Sequence, residues 1–424
     1  MILAAEWIFP ITSPPLYRHA IEIEHGTIRN IRPLLDSDIF LPDTCLLPGL
    51  INAHTHLAYT AMRNLFDELE FFPWIRKLTE TKLQKWTVQD IVASTQLGIQ
   101  ESLNAGITTV ADMCDLEPAL ETLAQSPLRG IFYWEVFGVE KEQAERTWNT
   151  LQESYPRFRE KYESSRLRIG ISPHSCFTVR PELFRQIADR AIADKIPISF
   201  HAAESKEEED FIAQRGGVIG TFLQQRASDW QFLGNTSVSH LAETRIFDTR
   251  PLLAHAVQVD QNDIQILKDH DVSIAHCPKS NAKFGHGIAP LTDFASRNFR
   301  LGIGSDSAAS NNRFDLFEEA RFALLQQRSR QGKQVFTEEQ MLELLTMGGA
   351  RALGMEDRIG SLEAGKLADL IAVRIPPFYR AAEQVVRHLI HNTTAADVMK
   401  TIIGGQEIKR NHGGTETPRG DGKK

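Results

Sequence analysis

The pattern of hydrophobic and polar positions divides the chain into a long middle region and two shorter ends. In the middle, short apolar runs alternate with segments whose apolar residues recur at helical spacing, such as 90–104, 181–193 and 262–269. The candidate strands are 47–53, 107–112, 130–135, 167–172, 197–201, 251–255, 272–276 and 300–306. Eight strands that alternate with helices over roughly 250 residues have the size and rhythm of a closed parallel barrel. We therefore predict an α/β fold built on a (β/α)8 TIM-type barrel.

The two ends of the chain have a different pattern, which predicts strands without long helices. Candidate strands lie at 21–24 and 27–31 near the start, and at 370–373, 398–403 and 406–408 near the end. We predict a small β-sandwich domain assembled from 1–52 and 357–410, with the barrel at 53–356. Residues 411–424 are polar and rich in glycine, so a disordered tail is predicted there. A doubly wound open sheet is the competing architecture, but it gives no reason for polar residues at nearly every strand end.

Composition narrows the possible partners. The formal net charge of -8 argues against nucleic acid, because phosphate binding needs clustered Lys and Arg, whereas a small molecule remains possible. No apolar run approaches the ~20 residues that a membrane span requires. The N-terminus does not resemble a secretory signal, and the four cysteines show no paired spacing. We therefore expect a cytoplasmic protein without disulfides.

Polar residues fall at the carboxyl ends of most predicted barrel strands, in the order His54 and His56, His174, His201, His255, His276 and Asp306. In a βα barrel these strand ends converge on one rim, where active sites lie. Residues that are far apart in the sequence would thus be neighbours in space.

A metal site is the first interpretation of this rim. In an extended segment, His54 and His56 point the same way and can reach one ion, although such pairs also occur by chance. Together with His201 and Asp306 they supply three imidazoles and a carboxylate, a set that suits Zn²⁺, with Fe²⁺ or Mn²⁺ as alternatives. The fourth strand and its end offer no lysine that could bridge two ions, so one ion is predicted.

Two further residues are candidates for moving protons. Glu204 lies three residues after His201, where its carboxylate can pass a proton between water and a substrate; the alternative is a solvated charge. His255 can orient the attacking water, or it can be a core histidine bonded to a carbonyl group. The roles of His276 and His286 stay open.

Several of these motifs match a known family. Residues 48–56, PGLINAHTH, together with HAAE at 201–204, HCPKSN at 276–281 and GSDSAASNN at 304–312, resemble the amidohydrolase superfamily in its branch of one-metal aromatic deaminases and chlorohydrolases. The resemblance spans roughly residues 20–405. It implies that His54, His56, His201 and Asp306 bind the metal, that Glu204 and His255 transfer protons, and that Asp306 also acts on the water.

The resemblance also suggests a substrate. It is strongest to deaminases of 5'-methylthioadenosine and S-adenosylhomocysteine, and of 6-amino-6-deoxyfutalosine in menaquinone synthesis. It implies substrate contacts for His174, for Trp74 and for Arg166, although a tryptophan is more often core and an arginine more often surface. Ser307 and the loop at 284–287 depart from the methylthioadenosine group, which slightly favours the aminofutalosine substrate.

Other functions remain open at this point. Relatives in the same branch act on guanine, cytosine or chlorinated triazines, and all share the metal ligands. A protein of another class, which keeps a metal-stabilised barrel but only binds, is disfavoured because Glu204 and Asp306 are both present. A homodimer is possible for this family, and the composition does not decide it.

Overall fold

A computed structural model of the protein describes residues 1–224, 226 and 229–409, so the predicted tail at 411–424 lies outside the described residues. The described strands are β1 (Ile2–Ile8), β2 (Leu16–Glu24), β3 (Thr27–Pro33), β4 (Phe40–Pro48), β5 (Leu50–Thr55), β6 (Ile107–Cys114), β7 (Arg129–Val136), β8 (Leu167–Pro173), β9 (Ser199–Ala202), β10 (Leu252–His255), β11 (Ser273–His276), β12 (Arg300–Ile303), β13 (Leu370–Arg374), β14 (Val398–Ile403) and β15 (Gln406–Glu407).

The described α-helices follow the same numbering by chain order. They are α1 (Phe71–Gln84), α2 (Val88–Asn104), α3 (Glu117–Gln125), α4 (Lys141–Tyr162), α5 (Pro181–Asp194), α6 (Lys206–Gln214), α7 (Gly217–Gln224), α8 (Ser237–Ala242), α9 (Gln261–Asp269), α10 (Pro278–Lys283), α11 (Leu291–Ser296), α12 (Ala308–Asn311), α13 (Leu316–Gln331), α14 (Glu338–Glu343), α15 (Gly349–Ala352) and α16 (Ala382–His391). Short 3-10 segments lie at Leu57–Met62, Ile246–Thr249 and Ala395–Asp397, and a π-helical turn at Leu344–Gly348. No helix in these described ranges is long and apolar enough to cross a membrane.

Strands β5 to β12 confirm the predicted α/β class with parallel strands. They form two four-stranded sheets, β5-β6-β7-β8 and β9-β10-β11-β12. Isolated parallel bridges join the two sheets at both edges, Thr55 with Asp306 and Ile171 with Ile198. The strands therefore follow one another in chain order around a ring, but the ladder between the two sheets is reduced to single bridges and does not form one continuous eight-stranded sheet.

The ring is held together by apolar runs that are buried on both faces. Every residue of β6 is buried, as expected for a parallel strand covered by helices on one side and by the interior of the ring on the other. Local signals fix the helices: α2 begins at a capping box between Thr87 and Asp90, and the chain after it turns through Gly106, whose φ is 83°.

The strands of the two chain ends form one seven-stranded sheet, in the order β15-β14-β13-β4-β1-β2-β3. The predicted sandwich is not confirmed, because these described strands all belong to a single sheet. The predicted strand at 47–53 is divided at Gly49: β4 joins the terminal sheet and β5 joins the ring. A buried ion pair ties the sheet to the ring, with Arg129 Nε 2.7 Å from Asp369 Oδ2. The domain boundaries stay a prediction.

Candidate metal centre and active site

The structure brings the four predicted metal ligands together. His54 and His56 come from β5 and the residue after it, His201 from β9, and Asp306 follows β12. The Nε2 atoms of His54 and His56 lie 3.5 Å and 3.6 Å from Asp306 Oδ1. The Nε2 atoms of His56 and His201 are 3.2 Å apart. Strand ends that are 250 residues apart in the chain thus meet because β5 and β12 are adjacent edges of the ring.

At His56 and His201, a hydrogen bond occupies one ring nitrogen and leaves the other for an ion. His56 Nδ1 donates to the carbonyl of Met113 at 2.9 Å, and His201 Nδ1 donates to the carbonyl of His174 at 2.9 Å. Their Nε2 lone pairs therefore face each other, which is unfavourable unless a positive charge lies between them. Both ring nitrogens of the buried His54 have no hydrogen-bond partner among the described residues. Three imidazoles and a carboxylate in this state fit a divalent metal ion.

Asp306 is held in place by three donors. Ser280 Oγ and Ser310 Oγ donate to Oδ2 at 2.5 Å and 2.7 Å, and the backbone N–H of Ser307 donates to Oδ1 at 2.7 Å. Burial works against ionisation, but the contact with His54 and the charges of His255 and His56 hold the pKa of Asp306 well below its ordinary value. The group is thus a carboxylate with a fixed orientation, as a metal ligand must be.

Glu204 is the second carboxyl of the site, and its surroundings favour the protonated form. Burial, with the negative charge of Asp306 added, raises the pKa of Glu204 to about 7, against the opposing effect of His255. His255 Nε2 lies 3.5 Å from Glu204 Oε1, and His255 Nδ1 donates to Asn281 Oδ1 at 2.8 Å. A carboxyl group that titrates near neutral pH can both give and take a proton.

The backbone turn that carries Glu204 is fixed from behind by Glu208, at the start of α6. Glu208 is fully buried; its Oε1 accepts from the backbone N–H of Ala203 at 2.8 Å and its Oε2 from the N–H of Glu204 at 3.0 Å. Ala203 has a φ of 51°, and His255 has a φ of 73°. Left-handed backbone at non-glycine residues costs ~1–3 kcal/mol each and persists where the surroundings over-determine it.

A cavity of about 970 Å³ opens over the cluster. It is lined by ligands His56, His201 and Asp306, by Glu204 and His255, and by several aromatic side chains, Tyr59, Phe71, Phe72, Trp74, Phe137, Phe177 and Phe284. A planar heterocycle suits such walls, because aromatic rings stack on it and exclude water.

The predicted substrate residues divide into two groups. His174 and Trp74 both line the cavity, and His174 is half-buried with Nδ1 2.9 Å from Thr178 Oγ1. Arg166 lies outside it: the residue is exposed and precedes β8, at the end of the strand opposite the rim. A contact between Arg166 and a substrate in this cavity does not fit that position, because the length of β8 separates them.

The two histidines without a predicted role also have places. His276 is buried behind the cavity, with neither ring nitrogen bonded to another described residue. His286 is buried with Nε2 3.6 Å from Glu204 Oε1 and its ring edge-on to Phe71. His286 thus joins His255 in facing the Glu204 carboxyl.

Sequence reasoning missed Glu135, Asp112 and Glu208. Asp112 and Glu135 are buried in β6 and β7, and burial raises the pKa of each to about 8. Each is the single acid of its strand and lies near the strand's carboxyl end, so the strand-end argument that found the histidines could have found them. Glu208 carries no such signal, since it stands in a run of glutamates that resembles a solvated helix face.

Comparisons with known proteins agree with this geometry. The amidohydrolase family model matches residues 45–408. The chain belongs to the amidohydrolase family. It is 30% identical over 400 residues to a 5-methylthioadenosine/S-adenosylhomocysteine deaminase of Bacillus cytotoxicus, covering 92% of this chain and 87% of the relative. A deaminase of the same name from Bacillus thuringiensis is 31% identical over 383 residues, covering 88% of this chain and 83% of the relative. The family and these two relatives support a hydrolase of carbon–nitrogen bonds, and specifically a hydrolytic deaminase.

Solved structures of similar fold carry related names. An adenosine deaminase from Xanthomonas campestris with bound zinc superposes on this amidohydrolase with a TM-score of 0.85 at 25% identity, covering 96% of this chain and 93% of the other. A guanine deaminase from C. acetobutylicum with bound guanine gives a TM-score of 0.81 at 18% identity, covering 96% and 99%. The second likeness concerns the fold alone.

Proposed function

We propose that this amidohydrolase is a zinc-dependent deaminase of an adenine nucleoside derivative, which replaces the 6-amino group with oxygen and releases ammonia. The observation that carries the proposal is that two carboxyl groups with pKa values shifted in opposite directions line one cavity. Asp306, beside three imidazoles, stays ionised, while Glu204 titrates near neutral pH. Hydrolytic deamination needs both a base for water and an acid for the ring.

A zinc ion held by His54, His56, His201 and Asp306 would lower the pKa of a water molecule towards ~7. Asp306 and His255 both line the cavity, so they are placed to orient an attacking water and to accept its proton. Glu204 gives its proton to a ring nitrogen while the water oxygen bonds to the amino-bearing carbon. The proton that Asp306 or His255 accepted then passes to the amino nitrogen, the carbon–nitrogen bond breaks and ammonia leaves. The hydroxyl on the same carbon gives its proton to Glu204 and becomes the carbonyl oxygen.

The substituent on the nucleoside is the finer part of the proposal. The relatives are named for 5-methylthioadenosine and S-adenosylhomocysteine, which favours these over the aminofutalosine substrate that the sequence departures slightly favoured. Ser307 and Phe284, the two departures that contact the cavity, lie in its wall. They are therefore placed to alter the choice among substituents without altering the chemistry.

Other N-heterocycles are the second candidate, because the solved guanine deaminase shares the fold. Guanine, cytosine and chlorinated triazines carry no sugar, so a panel of nucleosides and free rings separates the two candidates. A protein that only binds is set aside, since the family is one of hydrolases.

The architecture around the site is part of the same proposal. We infer that the eight ring strands work as one (β/α)8 barrel at 53–356, with the terminal sheet as a separate domain from 1–52 and 357–410. A homodimer and a cytoplasmic location stay predictions.

The test is turnover by the zinc-loaded protein, followed by ammonia release and ultraviolet absorbance. The panel contains 5'-methylthioadenosine, S-adenosylhomocysteine, 6-amino-6-deoxyfutalosine, adenosine, guanine, cytosine and a chlorotriazine. Glu204→Gln should lower kcat by at least ~10²-fold, as expected for loss of a general acid. Glu207→Gln, a change to a half-buried neighbour, serves as the matched control. Turnover of the free rings with none of the nucleosides would reject the nucleoside assignment.

A further inference from the structure

One buried carboxyl in the cavity wall has no task in the chemistry derived above. Glu135 lies near the carboxyl end of β7, with its side chain 2% exposed and facing the cavity. Its Oε1 has no hydrogen-bond partner among the described residues. Its Oε2 is 4.0 Å from His56 Nδ1, but the proton on that nitrogen already goes to the carbonyl of Met113. A buried carboxyl without a donor is costly, so a donor from a ligand is expected there.

The surroundings of Glu135 supply the complementary groups. Lys82 of α1 is buried with Nζ 2.9 Å from both carboxylate oxygens of Asp115 and 3.4 Å from the hydroxyl of Tyr59. Lys82, Asp115, Tyr59 and Glu135 all line the cavity. We call these four residues the polar wall. It combines carboxyl oxygens as acceptors, an ammonium donor and a phenol within a cavity that also has several aromatic side chains.

The position of the polar wall relative to Glu204 limits which part of a substrate the wall can contact. Glu204 follows β9, whereas Glu135 belongs to β7, two strands along the ring. Both carboxyls lie beside the metal-binding cluster, Glu135 next to His56 and Glu204 next to His255. A ring whose nitrogen faces Glu204 therefore presents another part of the molecule to the polar wall.

We propose that the polar wall binds the hydroxyl groups of a sugar attached to the ring, with Glu135 accepting a hydrogen bond from one hydroxyl. Two neighbouring hydroxyls suit the wall, because one can donate to the free carboxyl oxygen of Glu135 while the other accepts from the Lys82 ammonium. Free bases and triazines carry no such pair. The wall thus selects a ribonucleoside over a free base, an inference that rests on the proposed deamination.

The experiment compares adenosine with 2',3'-dideoxyadenosine on the wild type, on Glu135→Leu and on Glu135→Gln, measuring kcat and KM separately. Burial raises the pKa of Glu135 to about 8, so its carboxyl is neutral near pH 7, and a neutral hydrogen bond contributes ~0.5–1.5 kcal/mol, which is about 2- to 12-fold in kcat/KM. The wild type should prefer adenosine by such a factor. Glu135→Leu should lose most of that preference, mainly through KM, whereas Glu135→Gln, whose amide oxygen still accepts, should keep it.

Controls separate this inference from the proposed function and from misfolding. Glu207→Gln should keep the wild-type preference. Zinc content and thermal melting of Glu135→Leu and Glu135→Gln are measured because the residue lies near His56. Equal losses on both nucleosides or an unchanged preference in Glu135→Leu, or a wild type that does not distinguish the two, would each overturn the role of the polar wall. Absence of turnover with every nucleoside would instead reject the proposed function itself.

Discussion

The carboxylate of Glu208 provides a sharp test of how the site is positioned. It touches neither the cavity nor the metal cluster in any described contact, yet both of its oxygens hold the backbone of residues 203 and 204. Glu208→Gln keeps the size of the side chain but replaces one oxygen with an NH2 group. Glu208 Oε1 also accepts from Cys176 Sγ at 3.2 Å. Because all three partners are donors, one of the two backbone N–H groups must then face the new NH2 group and remain unsatisfied.

The expected magnitude follows from those two hydrogen bonds. A hydrogen bond to a charged group contributes ~1.5–3 kcal/mol, and a buried unsatisfied N–H costs ~1–3 kcal/mol. With partial relaxation of the turn, we expect the free energy of unfolding to fall by about 2–4 kcal/mol. Since Ala203 has a left-handed φ of 51°, the turn should relax by moving Glu204. A displacement of about 1 Å can cost ~10²-fold in rate, so we expect a loss of ten- to a hundredfold in kcat.

Urea unfolding gives the stability, and kcat measured from pH 5 to 9 gives the effect on Glu204. A positioning role predicts both a lower kcat and a displaced pH profile, because the surroundings of Glu204 change. Glu207→Gln, one residue away, should alter neither quantity. A loss of stability with an unchanged kcat and pH profile would refute the reasoning, since Glu208 would then only stabilise the fold.

Three further predictions concern metal, ion pair and pH. Removal of the ion by a chelator should abolish turnover and lower the Tm. His201→Ala should lower the zinc content of the purified protein. An unchanged Tm after chelation, with an unchanged zinc content in His201→Ala, would place the ion elsewhere. Asp369→Ala should lower the free energy of unfolding by about 3–5 kcal/mol, because Arg129 is left buried without its anion. The double variant Arg129→Met with Asp369→Leu should recover part of this lost stability in denaturant titrations. Burial raises the pKa of Glu319 from 4.5 to about 8, so its contribution to stability is complete below pH 4.5 and is lost as pH rises through 8. Between pH 5 and pH 8 the free energy of unfolding should fall less in Glu319→Gln than in the wild type, by on the order of a few kcal/mol. An equal fall in both proteins would contradict the assignment.

Much of the site was accessible from the sequence because parallel strands impose a simple geometry. Apolar runs predict where strands end, and the ends of parallel strands meet on one side of the sheet. The sequence therefore predicts one cluster of His54, His56, His201 and Asp306, and the structure brings these four residues together. The same argument applies to Glu135, which lies one residue before the end of β7. A lone acid, however, has no partner at a recognisable spacing.

Other features depend on contacts between residues that are distant in the sequence. Strand β1 was not predicted: Glu6 interrupts its apolar run, and the strand is held by parallel pairing with β4 and antiparallel pairing with β2. The terminal strands form one sheet because β13 pairs with β4, a choice of partner that strand propensity does not express. Arg166 was expected at the substrate, but the direction of β8 places it at the opposite end of that strand.

The sequence by itself determined the class of the fold and the approximate ends of the ring strands, and it predicted a candidate ligand set, since periodicity and residue chemistry are local properties. Only the tertiary structure decided which carboxyl groups are buried away from solvent. Glu204 and Glu207 are the same type of residue. Glu204, however, is buried beside His255 and its pKa is raised to about 7, whereas Glu207 is half-buried in α6. Burial and the distance between charges set the pKa of a carboxyl, and both arise only when distant strand ends and their loops close around one cavity.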